Sequence, residues 1–201
     1  SESWLAGKKI IMLQPRRIAA RAVCSRMAHL LGEEPGQTVG YHVRHDRMVS
    51  GATRIEVVTE GILTKRLQND PDLKEVGLII FDEFHERSIH SDLGLALCLD
   101  LCQLKDDLRI LIMSATLEVD EISRLLSNAP VIKAEGKCHE VEIEYHTDKA
   151  PQHLARVVES ALHKLAPEND GDILVFLPGY SDIARTEKLL RENHFFKQFK
   201  V

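Results

Sequence analysis

Two adjacent carboxylates, Asp82 and Glu83, stand directly behind an unbroken apolar run at residues 78–81, and His85 follows two positions later. Such a run, bounded by Gly77, is typical of a strand that is buried on both faces in a parallel sheet. Two neighbouring acids cannot lie unpaired inside that strand, because burial of an unpaired charge costs too much free energy. We therefore expect Asp82 and Glu83 at its carboxyl end, where open α/β sheets bind their ligands.

Two arginines, Arg16 and Arg17, form a second feature with chemical potential, because they follow Pro15 at the predicted start of a helix. The helix macrodipole is positive at this end, so an Asp or Glu would normally be favourable there. Two interpretations remain. Either the arginines are merely solvated, or they form an anion clamp in which guanidinium groups and free backbone N–H groups bind a phosphate. We favour the clamp.

A glycine, Gly61, lies in the first turn of another predicted helix, for which Thr59 is the predicted N-cap. Glycine weakens a helix, but it also leaves the backbone bare for the close approach of a ligand. A glycine that is tolerated for packing explains the same residue equally well. Both interpretations stay open on the sequence alone.

A metal hydrolase is a further kind of site that the sequence allows, with Asp82, His85, Glu86 and His90 as a possible ligand set. The histidines of zinc-binding H-E-x-x-H helices are four positions apart and share one helix face. In this chain the offset between the two histidines is five positions. The spacing therefore does not favour a metal hydrolase.

The composition is that of an ordinary folded protein, with 44% hydrophobic and 28% charged residues among 201. We predict no membrane span, since no apolar run approaches the roughly 20 residues that a bilayer requires, and nothing at the start resembles a signal peptide. The four cysteines, Cys24, Cys98, Cys102 and Cys138, show no C-x-x-C spacing. Cys98 and Cys102 lie one helical turn apart in an apolar run, so we interpret them as buried free thiols, which fits a reducing, cytoplasmic setting.

Charge is distributed unevenly along the chain, although the net charge is only -5. Residues 1–66 contain 11 Lys and Arg against 6 Asp and Glu, whereas residues 67–201 contain 15 against 25. A polyanion should therefore prefer the first third of the chain.

Alternating strands and helices must position these residues. Predicted strands lie at residues 8–14, 39–43, 54–58, 78–81, 108–113 and 130–132, and predicted helices at residues 16–31, 60–68, 91–103 and 119–126. Repeated strand–helix units imply parallel pairing through right-handed crossovers, so we predict an α/β fold with a parallel sheet and flanking helices. Ser114 follows an apolar strand as Asp82 does, and it should lie at the same sheet edge.

A change in composition near residues 135–137 indicates a domain boundary. Beyond it we predict an edge strand at 139–146, a helix at 151–165, a fully apolar strand at 172–177 and a helix at 181–193. One buried strand with its helices cannot cover its own faces. We therefore interpret residues 137–201 as a linker and the first part of a second α/β domain, and residues 1–136 as the first domain.

Five short segments, in this order, resemble motifs of the DEAH/RHA group of superfamily 2 helicases, with the bacterial HrpB-type branch as the nearest likeness. They are residues 13–20 (LQPRRIAA, motif Ia), 59–61 (TEG, motif Ib), 82–85 (DEFH, motif II), 114–116 (SAT, motif III) and 174–179 (LVFLPG, motif IV). Residues 39–44 also match a stretch that these helicases carry. Phe84 stands where the family name has alanine, and the HrpB-type branch shares that form. Singly each motif is weak, but five in order at family-like spacing are a strong signal.

This resemblance implies RecA-like domains in an ATP-dependent helicase that uses ATP and Mg²⁺ and acts on nucleic acid, RNA rather than DNA. The phosphate loop of the family, G-x-x-x-x-G-K-[ST], does not occur in the 201 residues. We therefore expect an interior segment of a helicase that by itself hydrolyses ATP negligibly. The alternative is a module that binds nucleic acid or a protein partner without catalysis.

The resemblance also implies roles for individual residues. Asp82 would hold Mg²⁺ through water, and Glu83 would be the general base that activates the attacking water. His85 would link the nucleotide site to motif III, where Ser114 and Thr116 would form a hydrogen-bonded relay. A plain turn or N-cap explains Ser114 and Thr116 as well. The residues implied in nucleic-acid binding are Pro15, Arg16, Arg17, Thr59, Glu60 and Gly61.

Overall fold

The structure, a computed structural model, describes residues 3–115, 119–134, 136, 139–145 and 153–201. The chain divides into two compact units, Ser1–Ala134 and Glu135–Val201. The first unit contains a sheet with helices, whereas the described part of the second is built from helices and irregular segments.

A six-stranded sheet organises the first unit. Its strands are β1 (Lys9–Gln14), β2 (Val39–Val43), β3 (Asp46–Met48), β4 (Ile55–Thr59), β5 (Val76–Phe81) and β6 (Arg109–Ile112). The helices are α1 (Arg17–Leu30), α2 (Glu60–Asn69), α3 (Ile89–Leu104) and α4 (Val119–Leu125). The strand order is β3-β2-β4-β1-β5-β6, and all neighbours are parallel except β2 and β3. The predicted parallel α/β sheet with flanking helices is confirmed.

Both faces of the sheet are covered, which explains why β1 and β5 are nearly continuous apolar runs. On one face, residues of α2 and α3 pack over a core that includes Ile11, Val58 and Phe81. Val57 belongs to a separate core, in which small residues of α1 such as Cys24 contact β2 and β4. The neighbours Val57 and Val58 point to opposite faces, as successive strand residues must.

Gly77 does not bound β5 as predicted, because the strand begins at Val76 and includes the glycine. A Cβ atom on residue 77 would lie 2.9 Å from Leu5 Cδ1 and 3.1 Å from Lys8 Cβ. The missing side chain therefore gives room to the segment that precedes β1. A glycine inside a strand often marks a site where another part of the structure approaches closely.

The short strand β3 is an addition to the predicted sheet. It pairs antiparallel with β2, after a turn in which His45 has a φ of 66°. Its sequence, Asp46-Arg47-Met48, is too short and too polar to give a strand signal. An edge strand needs hydrogen bonds to one neighbour and no fully apolar face.

The described part of the second unit contains the helices α5 (Leu154–Leu165) and α6 (Tyr180–Glu192) and the 3-10 turns Ala166–Glu168 and His194–Gln198. Leu162, Leu190 and Phe196 form its apolar core. Both predicted helices of this unit are confirmed within the described residues.

Three predicted strands are wrong. Residues 130–132, 139–145 and 172–177 form no strand, and residue 146 lies outside the described residues. In the segment 172–177, Leu174 is 77% exposed and Phe176 is 87% exposed. A strand exists through hydrogen bonds to a neighbouring strand. The described part of this unit offers no such neighbour, so the apolar pattern alone does not produce a strand.

No helix in the described part of the chain is both long and apolar enough to cross a membrane. The cysteines Cys24, Cys98 and Cys102 are free, which confirms the predicted free thiols of Cys98 and Cys102, although Cys102 is only partly buried. Cys24 and Cys98 are buried, and burial raises the pKa of Cys98 to about 12. Cys138 lies outside the described residues.

Candidate functional site

The predicted site residues gather at one edge of the sheet, where the carboxyl ends of its parallel strands meet. Residues 15–17 follow β1, residues 59–61 lie at the end of β4, residues 82–85 follow β5, and Ser114 follows β6. Because β4, β1, β5 and β6 are consecutive in the sheet, the structure brings together all the predicted site residues that it describes. Thr116 lies outside the described residues.

Asp82 is held at this edge by three hydrogen bonds. Its Oδ2 accepts from Gln14 Nε2 at 2.5 Å, and its Oδ1 accepts from the Glu83 backbone N–H at 2.9 Å. Its own N–H donates to the Leu13 carbonyl at 3.2 Å, which continues the pairing of β5 with β1. Gln14 is buried, so the carboxylate of Asp82 has a fixed orientation, and each oxygen keeps a lone pair for a further ligand.

Glu83 begins a tight turn in which two non-glycine residues, Glu83 and Arg87, have positive φ values. Glu83 has φ 51° and ψ 36°, a 3-10 turn spans Phe84–Glu86, and Arg87 has φ 40°. A non-glycine residue in such a conformation costs about 1–3 kcal/mol and persists only where its surroundings hold it. Here the surroundings include a bidentate pair between Arg87 and Asp92, with distances of 3.0 and 2.9 Å. We call residues 83–88 the motif II turn.

Phe84 anchors the motif II turn to the core of the first unit. Its N–H donates to the Met113 carbonyl at 3.1 Å, beyond the end of β6. Its buried ring meets the ring of Phe81 edge to face, with centroids 6.1 Å apart. The phenylalanine at this position therefore fills the core beneath the turn, which fixes the backbone on which Glu83 and His85 stand.

His85 connects the motif II turn to the segment after β6. Its Nδ1 accepts from the Ala115 backbone N–H at 3.4 Å and lies 3.5 Å from Glu83 Oε2. The neighbouring Ser114 is partly buried. The imidazole thus touches both the candidate general base and the segment that carries Ser114.

Arg16 and Arg17 stand at the start of α1, one strand away from Asp82. Arg16 occupies the N-cap position and Arg17 is the first helical residue, so Pro15 lies just outside the helix. The Arg16 side chain is 74% exposed, and its Nη2 lies 3.2 Å from Glu86 Oε1. Arg17 is exposed as well. This placement leaves both guanidinium groups accessible to an anion from solution.

The turn at the end of β4 lies on the other side of β1. Thr59 occupies the predicted N-cap position of α2, but its side chain makes no capping hydrogen bond among the described residues, so that part of the prediction is wrong. Glu60 Oε2 accepts from Ser88 Oγ at 2.6 Å. A Cβ atom on Gly61 would meet no atom within 4 Å among the described residues. Packing therefore does not require a glycine at this position.

The chain matches a known family of proteins. Residues 3–125 match the family of DEAD/DEAH box helicases, which is more than half of the chain. The chain belongs to the DEAD/DEAH box helicases.

Individual helicases match most of the chain. The ATP-dependent RNA helicase HrpB of Escherichia coli (strain K12) is 50% identical over 183 residues, which are 90% of this chain and 23% of the relative. The ATP-dependent RNA helicase HrpA of the same organism is 38% identical over 184 residues, which are 89% of this chain and 14% of the relative. The chain therefore spans less than a quarter of the length of these helicases.

A solved helicase structure has the same fold. The crystal structure of the Escherichia coli DEAH/RHA helicase HrpB matches with a TM-score of 0.83 and 49% identity, over 90% of this chain and 23% of the other. Together with the strand order, this match confirms the predicted RecA-like fold of the helicase.

The alternative of a metal hydrolase lacks the geometry that it needs. Glu86 pairs with Arg16, His85 contacts Ala115, and His90 is exposed in α3. Among the described residues, no three or more His, Cys, Asp or Glu side chains converge as they would around a metal ion. The possible ligand set therefore does not form in this helicase segment.

Three residues at the edge of this helicase segment are missing from the predicted helicase site. Gln14 orients Asp82, Glu86 pairs with Arg16, and Ser88 donates to Glu60. Gln14 carries a signal, since it is the polar last residue of an apolar strand and its polar side chain needs a partner when buried. Glu86 and Ser88 carry no comparable signal, because neither is the last residue of an apolar strand.

Proposed function

We propose that this chain is part of an ATP-dependent RNA helicase, and that the carboxyl edge of its RecA-like sheet binds the nucleotide near Asp82 and the RNA near Arg16. One observation carries the proposal. Asp82 and Glu83 follow β5, Arg16 and Arg17 follow β1, and these two strands are neighbours in the sheet. A carboxylate pair and an arginine pair at the switch region of such a sheet suit phosphoryl transfer beside a polyanion.

Asp82 fits the role of a magnesium ligand. Magnesium prefers oxygen donors, usually keeps several waters, and is commonly held by one or two carboxylates together with substrate phosphates. The Asp82 carboxylate is fixed by Gln14 and the Glu83 N–H and retains free lone pairs. A bound Mg²⁺ would neutralise charge on the β- and γ-phosphates of ATP. Asp82 would hold it through water at this place.

Glu83 fits the role of general base. Its side chain is 46% exposed at the sheet edge, where water can reach it. The carboxylate would orient the attacking water and accept its proton. His85 contacts both Glu83 and the Ala115 N–H. It would therefore fix the position of the general base relative to the segment after β6. Ser114 and Thr116 would extend this relay.

Arg16 and Arg17 would bind RNA through its phosphates. Arginine forks match phosphate oxygens in a bidentate manner, and free N–H groups at the start of α1 add to the attraction. Pro15, which directly precedes the N-cap residue Arg16, would lie beside the same phosphate. The residues at the end of β4, Thr59, Glu60 and Gly61, would bring backbone groups to the neighbouring phosphate. Such contacts provide affinity without reading the base sequence, and RNA is proposed because the matched relatives are named RNA helicases.

The remaining assignments are also proposals. We infer that residues 1–136 belong to the first RecA-like domain and that residues 137–201 are a linker and the start of a second. Support comes from the division of the chain near residue 134 and from the likeness of residues 174–179 to motif IV. We propose a cytoplasmic location, supported by the free thiols of Cys24, Cys98 and Cys102.

The catalytic role of Glu83 can be tested in a chimaera in which this chain replaces the matching segment of Escherichia coli HrpB. In that chimaera, Glu83→Gln should lower ATP turnover about 10²–10⁴-fold, because a general base contributes about that much. RNA binding should be retained. Glu75→Gln is the matched control, since Glu75 pairs with Lys9 at the opposite, amino edge of the sheet. Turnover that is unchanged in Glu83→Gln, with RNA binding intact, would show that the general base is a residue other than Glu83.

The RNA-binding role can be tested on the chain itself. Arg16→Ala and Arg17→Ala together should weaken the binding of two unrelated single-stranded RNAs about equally. The slope of log affinity against log salt should flatten by up to about one unit for each phosphate that the variant no longer binds. Arg26→Ala removes one positive charge from the exposed surface of α1 and should change affinity by less than half as much as the double variant does. If the double variant binds both RNAs as tightly as the wild type with the same slope, the clamp is wrong.

A further inference from the structure

The motif II turn is tied to both segments that are proposed to bind RNA. At one tie, Arg16 Nη2 lies 3.2 Å from Glu86 Oε1. At the other, Ser88 Oγ donates to Glu60 Oε2 at 2.6 Å. The turn that carries the candidate base is therefore held between residues that follow β1 and β4.

The tie at Arg16 has the chemistry of a phosphate contact. A carboxylate and a phosphate offer the same pair of oxygens to a guanidinium fork. Arg16 is the N-cap residue of α1, and the sequence of the first turn of α1, Arg17-Ile18-Ala19-Ala20, contains no acid. Glu86 thus supplies, from a distant part of the chain, the negative charge that this helix end favours.

At this tie, a phosphate from solution can also replace the Glu86 carboxylate on Arg16. The side chains of Arg16 and Glu86 are 74% and 33% exposed, so solvent and a phosphate can reach the contact. Exposed ion pairs are weak, and a phosphate that makes additional backbone contacts at the same place competes well with a single carboxylate.

Release of Glu86 would act on Glu83 through the backbone of the motif II turn. The Glu86 N–H donates to the Glu83 carbonyl at 2.9 Å, and the Arg87 N–H donates to the Phe84 carbonyl at 3.2 Å. Glu83 and Arg87 have positive φ values of 51° and 40°, which persist only while neighbouring contacts hold the turn. A change at Glu86 is therefore transmitted through one turn of backbone to the candidate base.

We propose that the Glu86 carboxylate occupies the place on Arg16 that an RNA phosphate takes, so that RNA binding releases the motif II turn at Glu86. This inference rests on the proposed RNA-binding role of Arg16. Glu86 is a positioning residue in this scheme, since it acts on Glu83 through the backbone and touches no reacting atom.

The first experiment is an RNA titration of the 201-residue chain and its variants at low salt, about 50 mM. Glu86→Gln keeps the size of the side chain and removes the competing charge. It should bind single-stranded RNA about two- to fivefold tighter than the wild type, which is the range expected when an exposed ion pair no longer has to be broken. Glu75→Gln removes the same charge from an exposed pair at the opposite edge, and it should tighten binding less.

A double-mutant cycle links the effect to Arg16. In an Arg16→Ala background, Glu86→Gln should change RNA affinity no more than Glu75→Gln does, because the guanidinium group that it would free is already absent. The second measurement is hydrogen exchange of the Glu86 and Arg87 amides. RNA should speed their exchange in the wild type, whereas in Glu86→Gln the exchange should already be fast without RNA.

The outcomes separate this inference from the proposed function. If the wild type does not bind RNA, or if Arg16→Ala binds as tightly as the wild type, the RNA-binding role fails and this inference fails with it. If Arg16→Ala weakens binding but Glu86→Gln does not exceed Glu75→Gln, the inference alone is overturned. Glu86→Asp, which shortens the reach to Arg16, serves if Glu86→Gln does not fold. If neither folds while Arg16→Ala does, Glu86 has a purely structural role and the inference is also overturned.

Discussion

Gly61→Ala separates the two interpretations that the sequence leaves open for this glycine, ligand approach and packing. Gly61 lies in the first turn of α2, directly after Glu60. A Cβ atom there would meet no atom within 4 Å among the described residues. The new methyl group would therefore enter open space at the edge that is proposed to bind RNA.

The expected changes in stability and in affinity have opposite signs. Alanine is more favourable than glycine inside a helix by about 0.5–1 kcal/mol. For a chain of this size that gain corresponds to a rise in Tm of about 1–4 °C. A backbone hydrogen bond to a charged phosphate is worth about 1.5–3 kcal/mol. If the methyl group prevents one such hydrogen bond at Gly61, RNA should bind about tenfold more weakly or worse.

The assays are thermal unfolding and RNA titration, with Gly40→Ala as the contrasting variant. A Cβ atom on Gly40 would lie 2.5 Å from the Met48 carbonyl oxygen and 2.8 Å from Val49 Cγ1. Overpacking of this kind costs about 1–3 kcal/mol, so Gly40→Ala should lower Tm. A fall in Tm for Gly61→Ala would refute the reasoning about space. A rise in Tm with unchanged RNA affinity would refute the reasoning about ligand approach.

Two further predictions concern groups away from this edge. Hydrogen bonding from Asn193, together with Arg156, lowers the pKa of Glu159 below its ordinary 4.5. Ionised Glu159 therefore stabilises the fold fully at pH values above its ordinary pKa of 4.5. This stabilisation is lost as the pH falls through the lower pKa that Glu159 has in the folded state. Acidification from pH 5 to about pH 3 should lower the Tm of the wild type more than that of Glu159→Gln; equal losses would contradict this. Burial raises the pKa of Cys98 to about 12. The thiol should therefore resist alkylation by iodoacetamide at about pH 8 until urea unfolds the chain, which mass spectrometry can measure. Rapid native labelling would contradict it.

Local pattern predicts most of the first unit, because its strands and helices are each marked by their own residues. The predicted strand at 39–43 matches β2, and the predicted helix at 60–68 matches α2 to within one residue. The placement of Asp82 and Glu83 also follows from local pattern, since an apolar strand cannot contain two unpaired charges. A site at a sheet edge is therefore predictable where charged residues directly follow an apolar strand, because the strand must end before them.

Contacts between strand ends are not predictable in this way. Gln14 reaches Asp82 because β1 lies beside β5, and the chain order of the strands does not state that neighbour relation. The error at residues 172–177 has the same origin. An apolar segment there has the pattern of a buried strand, yet no described strand pairs with it. Pattern shows what a segment can become, and its neighbours decide whether it does so.

Arg16 combines a feature that local pattern predicts with a contact that it does not predict. Its position at a helix start predicts a nearby anion, and the structure supplies one, Glu86, from the turn after a neighbouring strand. The pair does not make the anion clamp unnecessary. A fixed structural pair is usually buried and further hydrogen-bonded, because two exposed long side chains gain little from each other. Because 74% of the Arg16 side chain is exposed, its ion pair with the Glu86 carboxylate is weak enough for a phosphate to replace the carboxylate. The replacement would change the contacts that hold the backbone of Glu83.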